Sequence, residues 1–525
     1  MVISSGYFVS NLPSYAETIP NQPDLKTEEM TAEIEKPIKT LIQEGQTEEV
    51  AKPAKPAIAV SSEKEEIAEP SKTQISQVPS IKKAVLVGNT VLIDEDLAPI
   101  LQPLTGKSLT PEQVKAAAED ITKLYISKGY VTSLAKFDPS DSIVDGVASI
   151  KAIEGQLEKI DILGTVQTNP DYVRSRLLIG NTNVFNASHI EDQLRLLRSD
   201  PLFSKVTSNL QPATTAGNSI LVVKVEEANQ LTGSVSFDNY SPVSVGSERM
   251  GTSLNYRNLT GSGDSLAASY YRSTTGGSNL YDFNYTIPVN PMNGTIALRY
   301  APNNYRITDP AFADLNIRGA SSLYDIAYRQ PLTRSPREEF ALTLGFAYQT
   351  GQTFLFENLA IPFGIGPDAN GVSTTSVFRF GQDYTLRDTE GVWALQSQFN
   401  IGTGLFGATY VTTPNAGFFS WSGQAQRVQI LGSDAILIAS LSSQLSANAL
   451  LPSQQFSIGG GQSLRGYRQN SLSGDNGFKL SLETRLTTLR DEQTNRSVLQ
   501  LAPFIDLGAV WNNSRFVGKQ KHSTE

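Results

Sequence analysis

The sequence predicts two tandem α+β modules, each of the order β-α-α-β-β, followed by an all-β transmembrane antiparallel barrel. Three observations predict it. A strand-helix-helix-strand-strand order occurs twice within about 150 residues. The composition changes at residue 229, after which lie 30 of the 40 glycines and 35 of the 44 aromatic residues. Beyond that point apolar and polar side chains alternate over runs of about ten residues, the period of a strand with a different solvent on each face.

The chain has 525 residues and begins with a segment unlike the rest. Residues 1–78 carry 13 acidic and 7 basic side chains and seven prolines, and their aromatics stop at Tyr15. Such a stretch buries too little apolar surface to offset its ordering entropy and reads as a disordered linker. The weakly apolar Val2–Val9 segment and the small-x-small site at Ser14–Ala16 read as the tail of an export signal whose start lies upstream.

In the first module Ile81–Gly88 is the opening strand and Asp94–Gln102 a short helix. Thr110, Pro111 and Gln113 form a capping box with proline at the first helical position. The helix that follows sets Val114, Ala117, Ala118, Ile121, Leu124 and Tyr125 on one face. Gly129 ends it in a left-handed turn. Tyr130–Phe137 and Gly146–Glu154 complete the module as strands.

The second module repeats the order. Leu157–Leu163 is a strand closed by Gly164, and Asp171–Leu178 a short helix. Asn186 caps a second helix with Ile190, Leu194 and Leu197 inward. Phe203–Leu210 and Ser219–Glu226 are its last strands. His189, beside the cap, has no patterned acidic or metal-ligating partner and reads as a surface residue.

In the barrel region Phe340, Leu342, Leu344, Phe346 and Tyr348 alternate with smaller or polar residues. The same holds around Val235, Leu395 and Leu480. Tyr240, Tyr256, Tyr270, Tyr271, Tyr300 and Tyr328 crowd predicted strand ends, as interfacial girdles do. Asn293-Gly294 reads as a tight hairpin. Thr350–Thr374 and Thr403–Gly417 read as long loops.

Composition excludes several chemistries. With no cysteine there is no disulfide, thiolate metal site or cysteine nucleophile. Two histidines, His189 and His522, disfavour a His-rich zinc site. A net charge of −9 and pI near 5.1 argue against nucleic acid as a partner. The stretch Ser457-Ile458-Gly459-Gly460-Gly461-Gln462-Ser463-Leu464-Arg465-Gly466-Tyr467 lacks the Lys-Ser/Thr of a phosphate loop, so no nucleotide is expected. No cofactor, metal or enzymatic function is indicated.

What remains is an arginine flanked by glycine and enclosed by a barrel wall. An unpaired charge there is costly, so Arg465 needs an anion. Glu483 lies on the polar face of Phe478–Leu486, and Asp506 lies on a predicted strand Leu501–Val510. Either can meet the guanidinium in a bidentate contact.

The order of tandem modules, barrel, Leu464-Arg465-Gly466-Tyr467 and Phe504-x-Asp506 resembles the two-partner secretion transporters. These are the TpsB, or ShlB/FhaC/HecB-type, haemolysin secretion/activation proteins of the POTRA-and-barrel superfamily. Further matches are Lys128-Gly129-Tyr130-Val131-Thr132-Ser133, Asp145-Gly146-Val147, Ile153-Glu154-Gly155, Asp238-Asn239-Tyr240 and Leu450-Leu451-Pro452-Ser453. The resemblance covers roughly residues 75–512.

It implies POTRA domains at 79–155 and 156–228, lying in the periplasm of a Gram-negative-type cell, and a barrel at 229–525 in outer-membrane lipid. A secreted, TpsA-like exoprotein would add as a strand to a POTRA edge and cross the pore extended. Gly129, Tyr130, Glu154 and Gly155 would be POTRA motif residues. Arg465 would reach Asp506 on the inner wall, with Phe504 supporting the loop. The sequence departs from the family pattern in three places. Leu464 stands where valine is usual, residues 26–49 do not match a plug helix, and about thirteen of sixteen strands are present. The last departure predicts a barrel incomplete at its C-terminus. An assembly factor of the same superfamily, and a passive porin or surface adhesin, are the alternative readings.

Overall fold

The computed structural model describes residues 81–513, apart from residues 106–107, 141, 216, 357–358, 411–412 and 492. The expected linker 1–78, its export-signal remnant and the stretch 26–49 lie outside the described residues.

The first module runs β1 (Lys83–Val87), α1 (Asp94–Leu101), α2 (Pro111–Ser127), β2 (Leu134–Lys136), β3 (Ile143–Val144) and β4 (Val147–Ile153). Its sheet has β4 at the centre, parallel to β1 and antiparallel to β2. Thr110 makes both arms of the capping box with Gln113. One face of α2 buries Val114, Ala117, Ala118, Ile121 and Tyr125 against Ala148 and Ile150 of β4. Burial of each large apolar side chain stabilises the module by about 1.5–3 kcal/mol.

The strand expected at Tyr130–Phe137 forms only from Leu134. Helix α2 closes first: Tyr130 N–H donates to the Tyr125 carbonyl at 2.9 Å, and Ser133 N–H to that of Tyr130 at 3.1 Å. The chain is therefore still turning where the alternation reads as extended. A two-residue strand, β3, pairs back on β4 through a turn at Asp145 and Gly146, both left-handed with φ of 52° and 79°.

The second module runs β5 (Leu157–Leu163), α3 (Pro170–Ile179), α4 (Ala187–Arg198), β6 (Phe203–Pro212) and β7 (Ser219–Glu227). Again the last strand is central, parallel to the first and antiparallel to the other. Ile190, Leu194 and Leu197 of α4 are buried against Leu221, Val223 and Val225 of β7. His189 is exposed.

Three residues separate β7 from the main sheet. That sheet contains β8 (Leu231–Asp238), β9 (Arg249–Arg257), β10 (Ser265–Ser273), β11 (Ser278–Pro288), β12 (Thr295–Arg306), β13 (Arg318–Arg334) and β14 (Glu338–Leu355). It continues through a short β15 (Leu359–Ala360), β16 (Val372–Asp388), β17 (Gly391–Thr403), β18 (Phe419–Ile430) and β19 (Ala435–Ser446). After a two-stranded ribbon of β20 (Phe456–Ile458) and β21 (Leu472–Gly474), it resumes with β22 (Asn476–Arg490), β23 (Ser497–Leu501) and β24 (Phe504–Trp511). Neighbours in the wall are antiparallel throughout, and β23 and β24 both pair with β22.

The strand expected at Leu501–Val510 is thus broken at Ala502-Pro503. Proline has no N–H to give the ladder, but the register with β22 is kept across the break, Glu483 facing Phe504 and Leu486 facing Leu501. The loop expected at Thr350–Thr374 is shorter than it reads, since β14 runs on to Leu355. Asn293-Gly294 does not form a two-residue hairpin. The chain turns over Asn290–Asn293, bracketed by the Val289 N–H to Gly294 carbonyl bond at 2.7 Å, with Asn293 in the left-handed region.

The sheet curls until its inner face encloses a cavity of about 740 Å³, touched by Thr232 of β8 at one side and Gln398 of β17 at the other. Its outer face carries Val235, Phe237, Leu344, Ile505 and Leu507, all exposed. The tyrosines divide between the faces. Tyr270 stacks on Tyr281, and Tyr300 on Tyr324, in mid-strand on the outside. Tyr271 lies inward beneath the Arg249 guanidinium at 4.4 Å, so it belongs to no girdle. The turns at 258–264 and 289–294 face the second module, and loops such as 404–418 lie at the opposite end.

Candidate functional site

The glycine-rich ribbon springs from the end of the wall opposite the modules and folds back inside it. Gly459 and Gly460 take φ of 110° and 101°, and a Cβ on Gly459 would sit 2.4 Å from the Arg468 carbonyl oxygen. Only glycine fits that backbone approach. Gly466, at φ 88° with open space around it, is required by its left-handed turn alone. Leu464 is buried against Gly508 of β24, where the missing side chain admits Leu464 and Ile458. Tyr467 is 62% exposed at the loop tip.

Arg465 then lies opposite Ser481, five residues in from the start of β22. At about 3.4 Å per residue that is ~17 Å along the strand. Its Nε donates to Asp506 Oδ2 at 2.7 Å and its Nη2 to Asp506 Oδ1 at 2.7 Å. The Arg465 backbone N–H donates to Asp506 Oδ2 at 2.9 Å. Nη1 pairs with Glu483, and Nη2 also reaches Ser481 Oγ at 2.9 Å. The guanidinium carbon stands 3.5 Å from the centre of the Phe504 ring.

Strand periodicity makes this possible. Ser481, Glu483 and Arg485 share the inner face of β22, and Phe504 and Asp506 that of β24, while Ser481 and Asp506 are directly paired. The structure therefore brings Arg465, Glu483, Phe504 and Asp506 together. The Asp506 side chain is only 3% exposed. Ser481 completes the set by donating to Asp506 Oδ1 at 2.7 Å. Its place on the polar side of the Phe478–Leu486 alternation was the available signal for it.

Tyr240, following β8, lies against the ribbon, since a Cβ on Gly461 would meet its ring at 2.6 Å. The ribbon thus touches the inner wall at both ends of the curled sheet. Elsewhere the inner face carries arginine–carboxylate pairs: Arg249 with Asp238, Arg299 with Asp282, and Arg379 with Asp325.

The other group of sequence-selected residues meets far from Arg465, at the junction of the modules. Gly129 takes φ 91° after α2, and its carbonyl accepts Ala187 N–H at 2.8 Å. Asn186 caps α4 through Ser188 N–H and donates Nδ2 to the Lys128 carbonyl at 3.1 Å. Gly155 accepts Phe185 N–H at 2.8 Å, and a Cβ there would lie 2.5 Å from the Gly217 carbonyl oxygen. Tyr130 packs edge-on to Tyr125 in the first core.

Glu154 ties the last strand of the first module to the turn after its first strand. Its carboxylate accepts Thr90 N–H at 2.7 Å and the Tyr125 hydroxyl at 3.0 Å. Burial, with this hydrogen bond, pushes the Tyr125 phenol up from its ordinary value. Glu227 does the same in the second module, accepting the N–H groups of Val166, Gln167 and Thr168 at 2.8–3.1 Å. Burial alone would raise its pKa, but these hydrogen bonds outweigh it and the value falls below the usual carboxylate range. Repeat symmetry was the signal for Glu227.

The turn that Glu227 holds docks on the wall. Asn169 N–H donates to the Gly261 carbonyl at 2.8 Å, and Asn258 Nδ2 to Thr168 Oγ1 at 2.9 Å. Gly263 leaves room for the Tyr172 ring, and Arg176, stacked on that ring, donates to Asn293 Oδ1 at 3.2 Å.

Residues 217–522 match the family described as haemolysin secretion/activation protein ShlB/FhaC/HecB. Residues 80–155 match the POTRA domain of ShlB type. The outer membrane transporter CdiB of Dickeya dadantii (strain 3937) is 25% identical over 402 residues, covering 74% of this chain and 69% of that protein. The heme/hemopexin transporter protein HuxB of Haemophilus influenzae (strain ATCC 51907 / DSM 11121 / KW20 / Rd) is 23% identical over 454 residues, covering 82% and 76%. Among solved structures, CdiB from Escherichia coli superposes with a TM-score of 0.62 at 21% identity, over 81% of this chain and 79% of that one.

Proposed function

We propose a function from one premise: the chain belongs to the haemolysin secretion/activation protein family. It is an outer-membrane pore protein that secretes a partner exoprotein, with its POTRA region in the periplasm. The observation that carries this reading is the Arg465 ribbon, folded back into the pore and bonded to the wall at Asp506 and Glu483.

The module at 156–228 acts as a second POTRA domain, a role supported by its repeat of the first module's sheet order. The exoprotein adds as a strand to a POTRA edge, where main-chain hydrogen bonds give affinity. Strand β6, ten residues long and paired only with β7 among the described residues, is the longest such edge. The captured chain then passes extended through the pore. An inner face of Ser, Thr, Asn, Gln and internally neutralised ion pairs suits a moving polypeptide, because it offers neither an apolar surface nor a run of like charge. Arg465 and its partners hold the ribbon at a fixed depth while the client passes. The membrane contact is made by the apolar outer face, with outer-membrane lipid.

Binding of the exoprotein to the detergent-solubilised chain tests the reading. Capture is expected, together with its loss when residues 81–228 are deleted. Equal capture by both forms would contradict the assignment of client recognition to the POTRA region.

A further inference from the structure

The loop after β17 contains Gly404-Leu405-Phe406-Gly407, and it lies back against the outer face of β14. Phe406 takes φ 54° and ψ 37°, a left-handed conformation that a bulky side chain rarely adopts. The residue nonetheless remains 70% exposed, and Leu405 beside it is 47% exposed. The ring packs edge-on to Phe346 at 5.7 Å and to Tyr348 at 6.3 Å. Both partners lie on the outer face of β14, in the aromatic row that continues through Tyr324 and Tyr300.

Hydrogen bonds hold the loop there. Ser376 Oγ donates to the Leu405 carbonyl at 2.7 Å, and Thr374 N–H donates to Thr409 Oγ1 at 2.9 Å. The result is a pinned apolar finger, continuous with the outer face, displaying two large side chains outward. Backbone strain and exposed aromatic area both cost free energy in water, and lipid removes the second cost.

We infer that Leu405 and Phe406 form a membrane-inserted finger, embedded among lipid acyl chains at the end of the barrel opposite the POTRA domains. The inference rests on the proposed membrane-spanning role of the outer face. A Leu-Phe pair bracketed by Gly404 and Gly407 suits an anchor just beneath the headgroups, on the acyl-chain side. The finger fixes the height of this part of the rim relative to the membrane surface.

The cysteine-free chain allows a direct test by single-site nitroxide labelling. Phe406→Cys, Leu405→Cys, the wall position Leu344→Cys and the loop position Asn370→Cys are each labelled in the full chain. Each is reconstituted in phosphatidylcholine vesicles. Collision rates with oxygen, which concentrates in lipid, and with a water-soluble nickel chelate give a depth ratio. The finger predicts oxygen-dominated relaxation at 405 and 406, matching Leu344, against nickel-dominated relaxation at Asn370. Oxygen dominance at Leu344 with nickel dominance at both finger positions would overturn the inference and leave the barrel reading intact. Nickel dominance at Leu344 as well would overturn both.

Discussion

Asp506 accepts three hydrogen bonds from Arg465, two from the guanidinium at 2.7 Å and one from its backbone N–H at 2.9 Å. The contact fixes both the side chain and the main chain of the ribbon. Charge-assisted bidentate pairs are strong and directional. Together with the burial of Leu464 against Gly508 and the contact of Gly461 with Tyr240, the pair sets the depth of the loop.

Loss of Asp506 should therefore release the loop tip. With a nitroxide at Tyr467→Cys, Asp506→Ala should convert a slow-motion spectrum to a mobile one. Asp506→Asn should be intermediate, since an amide keeps one acceptor oxygen. An unchanged spectrum in Asp506→Ala would mean that the ribbon is held by its glycine-rich base.

Phe504 should matter less. A guanidinium over a phenyl ring contributes about 0.5–2 kcal/mol. Phe504→Ala should loosen the same label only slightly, and Phe504→Leu should not restore it, because a leucine has no aromatic face. Full rescue by leucine would reduce the ring to simple packing.

Two glycines should fail for different reasons. Gly155→Ala forces a Cβ to 2.5 Å from a backbone oxygen and should destabilise the module junction by about 1–3 kcal/mol. Gly466→Ala meets nothing within 4 Å and should cost only the left-handed conformation, about 1–2 kcal/mol. Limited proteolysis should cut the first variant near residues 155–185 and leave that region of the second protected. Cleavage of both there would contradict the contrast.

Glu227 should make the second module sensitive to acid. Its folded pKa lies below the ordinary value of 4.5, so its stabilisation is complete above that value and is lost as pH falls through the depressed one. At neutral pH, Glu227→Gln should speed amide exchange at Val166, Gln167 and Thr168 relative to wild type. The difference should shrink once the wild-type carboxyl is protonated. A difference that persists unchanged at low pH would remove charge from the explanation.

Much of this was readable in the residues because the signals were local. Thr110, Asn186, Gly129 and Gly164 mark helix and strand ends by side-chain or backbone chemistry that acts within a few positions. The polar side of Phe478–Leu486 placed Glu483 by period alone. Tyr271 and Tyr240 read as strand-end girdle residues but lie beneath Arg249 and against the ribbon, because strand ends and inner faces offer tyrosine equally good surroundings. The direction of a tyrosine depends on register, which neighbouring strands set. Pro503 was a readable break that the alternation around Asp506 concealed. The turn at Asn258–Asp264 carried no local sign that it would receive the second module, since its partners Thr168 and Tyr172 lie about 90 residues away.

Whether the Arg465 ribbon serves secretion is decided by export of the partner exoprotein by Arg465→Ala in cells, with the amount of heat-modifiable barrel in the outer membrane measured alongside. Barrel at the wild-type level and loss of secreted exoprotein are expected. Wild-type export from that variant would show that the Arg465 contact with Asp506 and Glu483 is not needed for secretion.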